Sequence, residues 1–187
     1  MRKISITLIC FLNIIYSLKA QEKLPINLKK SSIQWIGEYT FYFGGHEGTI
    51  NFIDGHFIKN NEKITGGEFT IDMNSLKSTD IDNEKARKNL DDHLKDPDFF
   101  DVKKYPKAYL IITKVDYYEN NTVRIEADFT IKEITKSINF RATLDYKNQT
   151  LKTKFKIDRR RWNVNYTSKM RDGAISDAIG FIVEIGL

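Results

Sequence analysis

The residues best suited to chemistry in this 187-residue chain are His46, His56 and His93, with Asp91, Asp92 and Asp96 beside the last of them. A zinc site needs ligand atoms converging at about 2.0 to 2.2 Å from the ion. Asp92 and His93 are neighbours on a predicted helix and point apart, and no H-x-x-x-H or H-x-H spacing occurs, so no metal site is expected. His93 is read instead as tying the helix end to the Asp96-Pro97-Asp98 turn, and His46 as a hydrogen-bonding group at the same end of the fold. Asp72 and Asp80 stand at loop starts, where acids usually cap or shape turns. The chain has no G-x-S-x-G, P-loop, G-x-G-x-x-G or cysteine nucleophile, so catalytic residues and enzymatic activity are not expected.

One basic cluster, Asp158-Arg159-Arg160-Arg161-Trp162, follows Lys152, Lys154 and Lys156 at alternate positions. Alternating lysines are what any solvated strand face carries, and that is the reading adopted. The sharper one is a patch for transient contact with an anionic membrane surface, where a lipid donor or acceptor would dock.

The first twenty residues are set aside. Met1-Arg2-Lys3 is a basic start, Ile4 to Tyr16 is an apolar run too short for a span of about 20 residues, and Ala20-Gln21 offers a cleavage point. Residues 1–20 are read as a signal peptide cleaved near Ala20, which predicts a periplasmic or secreted protein. Residues 21–30 are read as a leader and 31–187 as one domain. Cys10, the only cysteine, falls in the signal segment, so the mature chain has no thiol and no disulfide. That segment also holds Arg2, Lys3 and Lys19 and no acid, so its removal lowers the formal charge from +5 to +2. A nucleic-acid partner loses its main support.

Most of the remaining chain alternates apolar with polar residues, the period of a half-buried strand. Ile33 and Trp35, Phe41 and Phe43, Ile50 and Phe52, and Phe69 and Ile71 mark the first half. Two longer faces follow, Val123-Ile125-Ala127-Phe129-Ile131 and Ile138-Phe140-Ala142-Leu144, and Leu151 to Ile157 and Ile179 to Leu187 complete the strands. Asn60 to Lys63, Asn120-Asn121 and Lys147 to Gln149 supply turns. After Met73 the period changes: Ser78-Thr79-Asp80 and then Asp82-Asn83 offer caps, and Ala86, Leu90 and Leu94 recur on one helical face that ends before Pro97. From Pro97 to Pro106 the prolines forbid a continuous helix or central strand, and Phe99 and Phe100 need cover, so this connection is a lid candidate.

Eight to ten strands with one principal helix predict an all-β fold, and long strands without internal proline favour closure into an antiparallel barrel of about eight strands. The interior of such a barrel is either filled by side chains or just open enough for one small ligand. Both readings stand on periodicity alone.

The chain resembles the YceI-like domain family of secreted lipid-binding proteins. The resemblance is carried by Gly66-Gly67-Glu68-Phe69-Thr70-Ile71-Asp72-Met73-Asn74-Ser75-Leu76, then His93-Leu94 with Asp98-Phe99-Phe100-Asp101-Val102 and Tyr105-Pro106-Lys107-Ala108. Phe129 to Lys136, Ile157 to Trp162 and Ile175-Ser176-Asp177 look like its later motifs. Two places depart from it: Glu133 stands where the family usually has glycine, and an often glycine-bearing stretch after the tryptophan reads Asn163-Val164-Asn165-Tyr166.

The resemblance implies an extended, lipocalin-like barrel whose bore holds a long apolar molecule such as a polyprenol, an isoprenoid quinone or a fatty amide, with no other cofactor. The function so implied is a non-catalytic carrier or buffer of a small-molecule lipid; its protein partner is unknown. The residues expected to line the bore or its lid are Trp35, Phe41, Phe43, Ile50, Phe52, Phe69, Ile71, Leu90, Leu94, Phe99, Phe100, Ile111, Ala127, Phe129, Phe140, Ala142, Phe155 and Trp162. The alternative is a structural or stress-response module with a packed core that binds a protein partner.

Overall fold

Alternation in the sequence becomes alternation in burial. On the strand Thr122–Ile131 every second residue from Val123 onward is buried. The computed structural model describes residues 21–40, 43–166 and 175–187. The signal-peptide reading of residues 1–20 and the placement of Phe41 lie outside the described residues.

The strands, in chain order, are β1 (Glu22–Pro25), β2 (Asn27–Tyr39), β3 (Gly45–Asn60), β4 (Lys63–Ser78), β5 (Lys107–Tyr117), β6 (Thr122–Ile131), β7 (Ile134–Asp145), β8 (Thr150–Asp158) and β9 (Ile175–Gly186). All pairings are antiparallel. From β2 to β9 each strand pairs with the next, and β9 pairs with β2, so eight strands form a closed barrel. Closure leaves these strands without an open edge.

Residues 21–30, read as a leader, are part of the sheet. Glu22 to Pro25 pair with Lys59 to His56 on the far half of β3, the Ile26 amide continues the ladder to Gly55 O at 3.0 Å, and β2 starts at Asn27. Polar Glu22, Lys23, Lys29 and Lys30 hid the strand period, because here the chain is exposed on most of its surface and buries only Ile26 fully.

Tight turns join the strands at residues with positive φ. Asn61, Asn120, Asn121 and Gln149 do this where the sequence predicted turns. Glu133 (φ 60°), which stands in place of a glycine, and Asn163 (φ 55°), in the stretch after the tryptophan, also sit in the left-handed region. The fold therefore asks these positions for the conformation glycine takes most cheaply, and non-glycine residues accept it here.

The helix α1 (Glu84–Lys95) begins at the second of the two capping stretches, with the Asn83 side chain accepting from the Ala86 amide at 2.9 Å. Its inner face differs slightly from the expected one. Leu94 is buried and Leu90 half-buried, but Ala86 is exposed, because Asp91 turns inward and accepts from both the amide and the hydroxyl of Ser78 at 2.7 Å. That pair of bonds fastens the helix to the end of β4. Among the described residues no helix is long and apolar enough to cross a membrane.

After α1 the chain folds into successive turns. The amides of Phe99 and Asp101 donate to Asp96 O, that of Phe100 to Leu94 O and that of Val102 to Lys95 O, at 2.8 to 3.2 Å. Phe99, Phe100 and Val102 are buried as a result. Lys132, from the β6–β7 turn, holds this segment down by donating to Phe99 O at 3.0 Å and to Asn163 O at 3.3 Å.

Candidate ligand cavity

The barrel is not filled. It encloses a cavity of about 310 Å³, lined by side chains of all eight barrel strands, α1 and the 96–106 connection. This lies at the lower end of small-molecule sites, roughly 300 to 1,000 Å³. The core is therefore not packed throughout, as the alternative reading expected.

Part of the reason lies in how the aromatic rings pair. Phe140 stacks on Phe155 at 4.6 Å and Phe155 meets Phe181 at 5.4 Å, on the consecutive strands β7, β8 and β9. On the other wall Phe69 meets Phe57 at 5.1 Å and Phe52 at 6.1 Å, between the neighbours β4 and β3. These rings satisfy one another along the wall, so they do not meet across the bore. Phe129 and Phe181 are the exception, edge to face at 6.4 Å over two intervening strands.

Twelve of the expected residues line the cavity: Trp35, Ile50, Phe52, Phe69, Ile71, Leu90, Leu94, Phe99, Phe100, Phe129, Phe140 and Phe155. The others do not. Phe43 stands fully exposed in the β2–β3 connection, because β2 ends at Tyr39 and the alternation that seemed to include Phe43 is not strand there. Ile111 is 46% exposed: it pairs with Glu68 and Asp128 on the outer face, while Leu110 and Ile112 turn inward. The unbroken run Tyr109-Leu110-Ile111-Ile112 carries no parity from which this could be read. Ala127 and Ala142 are buried, but their single methyl groups end short of the cavity. Trp162, fully buried, packs behind Phe129 at 5.7 Å and donates from Nε1 to Phe129 O at 3.0 Å.

The expected set also left out much of the wall. Phe181, Val183 and Ile185 of β9 and Phe57 of β3 line the cavity. The β9 residues could have been found from the alternation after Ile179, and Phe57 could not, because the β3–β4 register shifts between Phe52 and Asp54.

Polar lining groups gather at one end, where β2 and β8 finish, β3 and β9 start and α1 sits. They are Glu38, Tyr39, His46, His93, Arg159, Tyr166 and Ser176; Thr153, mid-way along β8, is the exception, and its hydroxyl donates to Arg141 O at 2.7 Å. Tyr39 Oη shares a hydrogen bond with His46 Nε2 at 3.1 Å, and His46 Nδ1 one with Asp80 Oδ2 at 2.9 Å. His46 thus bonds across the barrel end as expected.

Arg159 departs from the solvated-face reading of its run. It opens a 3-10 turn (Arg159–Trp162), and its side chain is 4% exposed. It donates to the carbonyls of Ser176 at 3.3 Å, Tyr166 at 2.9 Å and Val164, and to Asp177 Oδ1 at 3.2 Å. Burial pulls its pKa below the ordinary guanidinium value, against the opposing pull of Asp177. Lys152, Lys154 and Lys156 do lie on the outer face, and Lys152 is paired with Glu184 and Lys156 with Glu38.

His93 does not form a short bond with the turn after the helix: its Nδ1 lies 4.0 Å from Asp98 Oδ1. Its ring meets Tyr166 edge-on at 4.5 Å and Phe99 at 5.9 Å. His93, Asp96 and Asp98 offer three ligand atoms within 4.8 Å of one another, with both acids exposed. An exposed acidic cluster of this kind carries no metal assignment by itself.

The YceI-like domain family model matches residues 25–187. The chain belongs to the YceI-like domain family. A UPF0312 protein of Pseudomonas putida W619 is 28% identical over 129 residues, 69% of this chain and 64% of that one. A UPF0312 protein of Shewanella denitrificans is 27% identical over 95 residues. The chain thus spans less than two thirds of the length of these relatives. Among solved structures, Burkholderia cenocepacia BcnA has a TM-score of 0.71 at 19% identity, covering 86% of this chain and 98% of its own. The Campylobacter jejuni YCEI protein has a TM-score of 0.51 at 21% identity, covering 72% and 82%. At these identities the two structures support the YceI-like barrel fold alone.

Proposed function

We propose that this YceI-like protein is an exported, non-catalytic carrier or buffer of one long apolar molecule of the isoprenoid class, held inside the barrel. The observation that carries the reading is the cavity itself: apolar over most of its wall, enclosed by all eight strands, with its charged groups gathered at one end. Such a bore suits an unbranched or prenyl chain, because burial gains about 0.8 kcal/mol per methylene and asks for no directional partner. A hydrolytic or redox role has no side chain to support it along the apolar walls.

The test is heat stability. A ligand bound only by the folded protein raises its stability in proportion to the logarithm of ligand concentration over Kd. Delipidated protein titrated with a C45 polyprenol is expected to unfold at a progressively higher temperature, with the polyprenol recovered unchanged. An unfolding temperature indifferent to the polyprenol would overturn the reading.

A further inference from the structure

We propose that the bound molecule enters and leaves through the side of the barrel, by a seam between β7 and β8 that Phe140 and Phe155 close from within. The proposal rests on the lipid-cavity reading above and adds to it the route by which the ligand is exchanged.

The barrel closes, but β7 and β8 do not pair along their whole length. They are registered only from Asp145–Thr150 to Ala142–Thr153, although β7 reaches back to Ile134 and β8 runs on to Asp158. Over the unpaired stretch β7 keeps its ladder to β6, and β8 its ladder to β9. Each strand is therefore held there from one side only, and the wall is divided between them.

The residues explain the parting. Continued past Ala142–Thr153, the same register would set Arg141 opposite Lys154, two exposed cations whose repulsion works against pairing. Thr153 Oγ1 donates to Arg141 O at 2.7 Å and Arg161 to Ser137 O at 3.0 Å, so side chains satisfy two carbonyls of β7 where the ladder to β8 has ended. Lys156 is drawn the other way, to Glu38 of β2 at 2.7 Å.

What spans the seam from inside is a pair of rings. Phe140 and Phe155 lie face to face, 4.6 Å apart and 13° from parallel, and both line the cavity. No ladder bond holds this stack, so turning the two rings aside opens the wall to the bore without unpairing a strand.

Other routes are closed more firmly. β4 and β5 also part, after Gly67–Ile112, but none of residues 63–66 or 113–117 lines the cavity, and Tyr117 Oη bridges that fork by donating to Ile64 O at 3.0 Å. At the lid, opening would break the bonds of Lys132 to Phe99 O and Asn163 O and of Ser78 to Asp91.

The experiment locks the seam. Arg141→Cys and Lys154→Cys are introduced together into the full chain carrying Cys10→Ser, which has no other thiol. The reduced protein is loaded with a radiolabelled C45 polyprenol, oxidised to the disulfide and mixed with excess phosphatidylcholine vesicles. Release to the vesicles is expected to slow at least about tenfold on oxidation and to recover with dithiothreitol, because the lock raises the barrier to exchange. Occupancy at equilibrium should not change, since entry and exit are hindered alike. If the disulfide does not form, a short bis-maleimide joins the same cysteines. If the cysteine pair fails to fold, Arg141→Thr with Lys154→Val, which removes the repulsion and supplies strand-forming residues, should slow release in the same direction. Release unchanged by the cross-link or by this second pair overturns the seam as the route while leaving the cavity reading intact. Failure of the reduced protein to take up the polyprenol overturns the cavity reading, and the route with it.

Discussion

The indole of Trp35 lies across Gly48, its registered partner on β3, so closely that a Cβ at position 48 would stand 2.6 Å from Cζ2 of the ring. The same Cβ would come within 2.0 Å of Lys77 O, the oxygen that accepts the Trp35 Nε1–H at 3.2 Å. Glycine here lets the indole lie flat against the wall, between β3 and the end of β4. Gly48→Ala should push the ring towards the bore and part the strands, at a cost of about 1 to 3 kcal/mol, the usual range for overpacking. Urea denaturation followed by tryptophan fluorescence measures it. Wild-type stability in this variant would contradict the close packing described.

Glu133 holds φ at 60° in the two-residue turn between β6 and β7. A left-handed conformation costs an L-residue about 1 to 2 kcal/mol, partly offset in glycine by backbone entropy. Glu133→Gly should therefore stabilise by about 0.5 to 1 kcal/mol in the same denaturation experiment. Lys132→Gly should not, although Lys132 also has positive φ, because it loses the ammonium bonds to Phe99 O and Asn163 O.

The barrel was legible in the sequence because a strand with one dry face must alternate. β6 and β7 could be read residue by residue, and the capped helix and its proline stop were equally plain. Parity failed where alternation was absent, at Ile111, or where the strand had already ended, at Phe43. The polar end of the cavity was harder to see. Arg159 looks like its exposed neighbours Arg160 and Arg161, and only the 3-10 turn, which breaks the strand period after Asp158, sends its side chain inward. His93 stood out by type, but its place against Tyr166, far away in sequence, did not.

Arg159 and Arg160 should respond very differently to substitution. Arg159→Met leaves three carbonyls without their donor and takes from Asp177 one of its two arginine partners, and a loss of about 2 to 4 kcal/mol is expected. Arg160 is 57% exposed, and Arg160→Ala should stay within about 0.5 kcal/mol of wild type. Equal effects in chemical denaturation would refute the buried role.

Phe100 is 8% exposed and lines the cavity from the connection after α1. Phe100→Glu places a charge against apolar ligand and should lower lipid retention at least tenfold, whereas Phe100→Leu should retain it. Lipid remaining after gel filtration, quantified by mass spectrometry, reads both variants. Undiminished retention in a folded Phe100→Glu protein would remove this segment from the ligand's surroundings.

A carrier of this kind has a long apolar molecule in its cavity. The most direct test is mass spectrometry of an organic extract of the purified protein, set against native mass spectrometry of the same sample. A long-chain, isoprenoid-type compound is expected at close to one molecule per chain, with a native mass raised by that compound's mass. A native mass equal to that of the polypeptide, with an extract free of lipid and no uptake of added polyprenol, would contradict it.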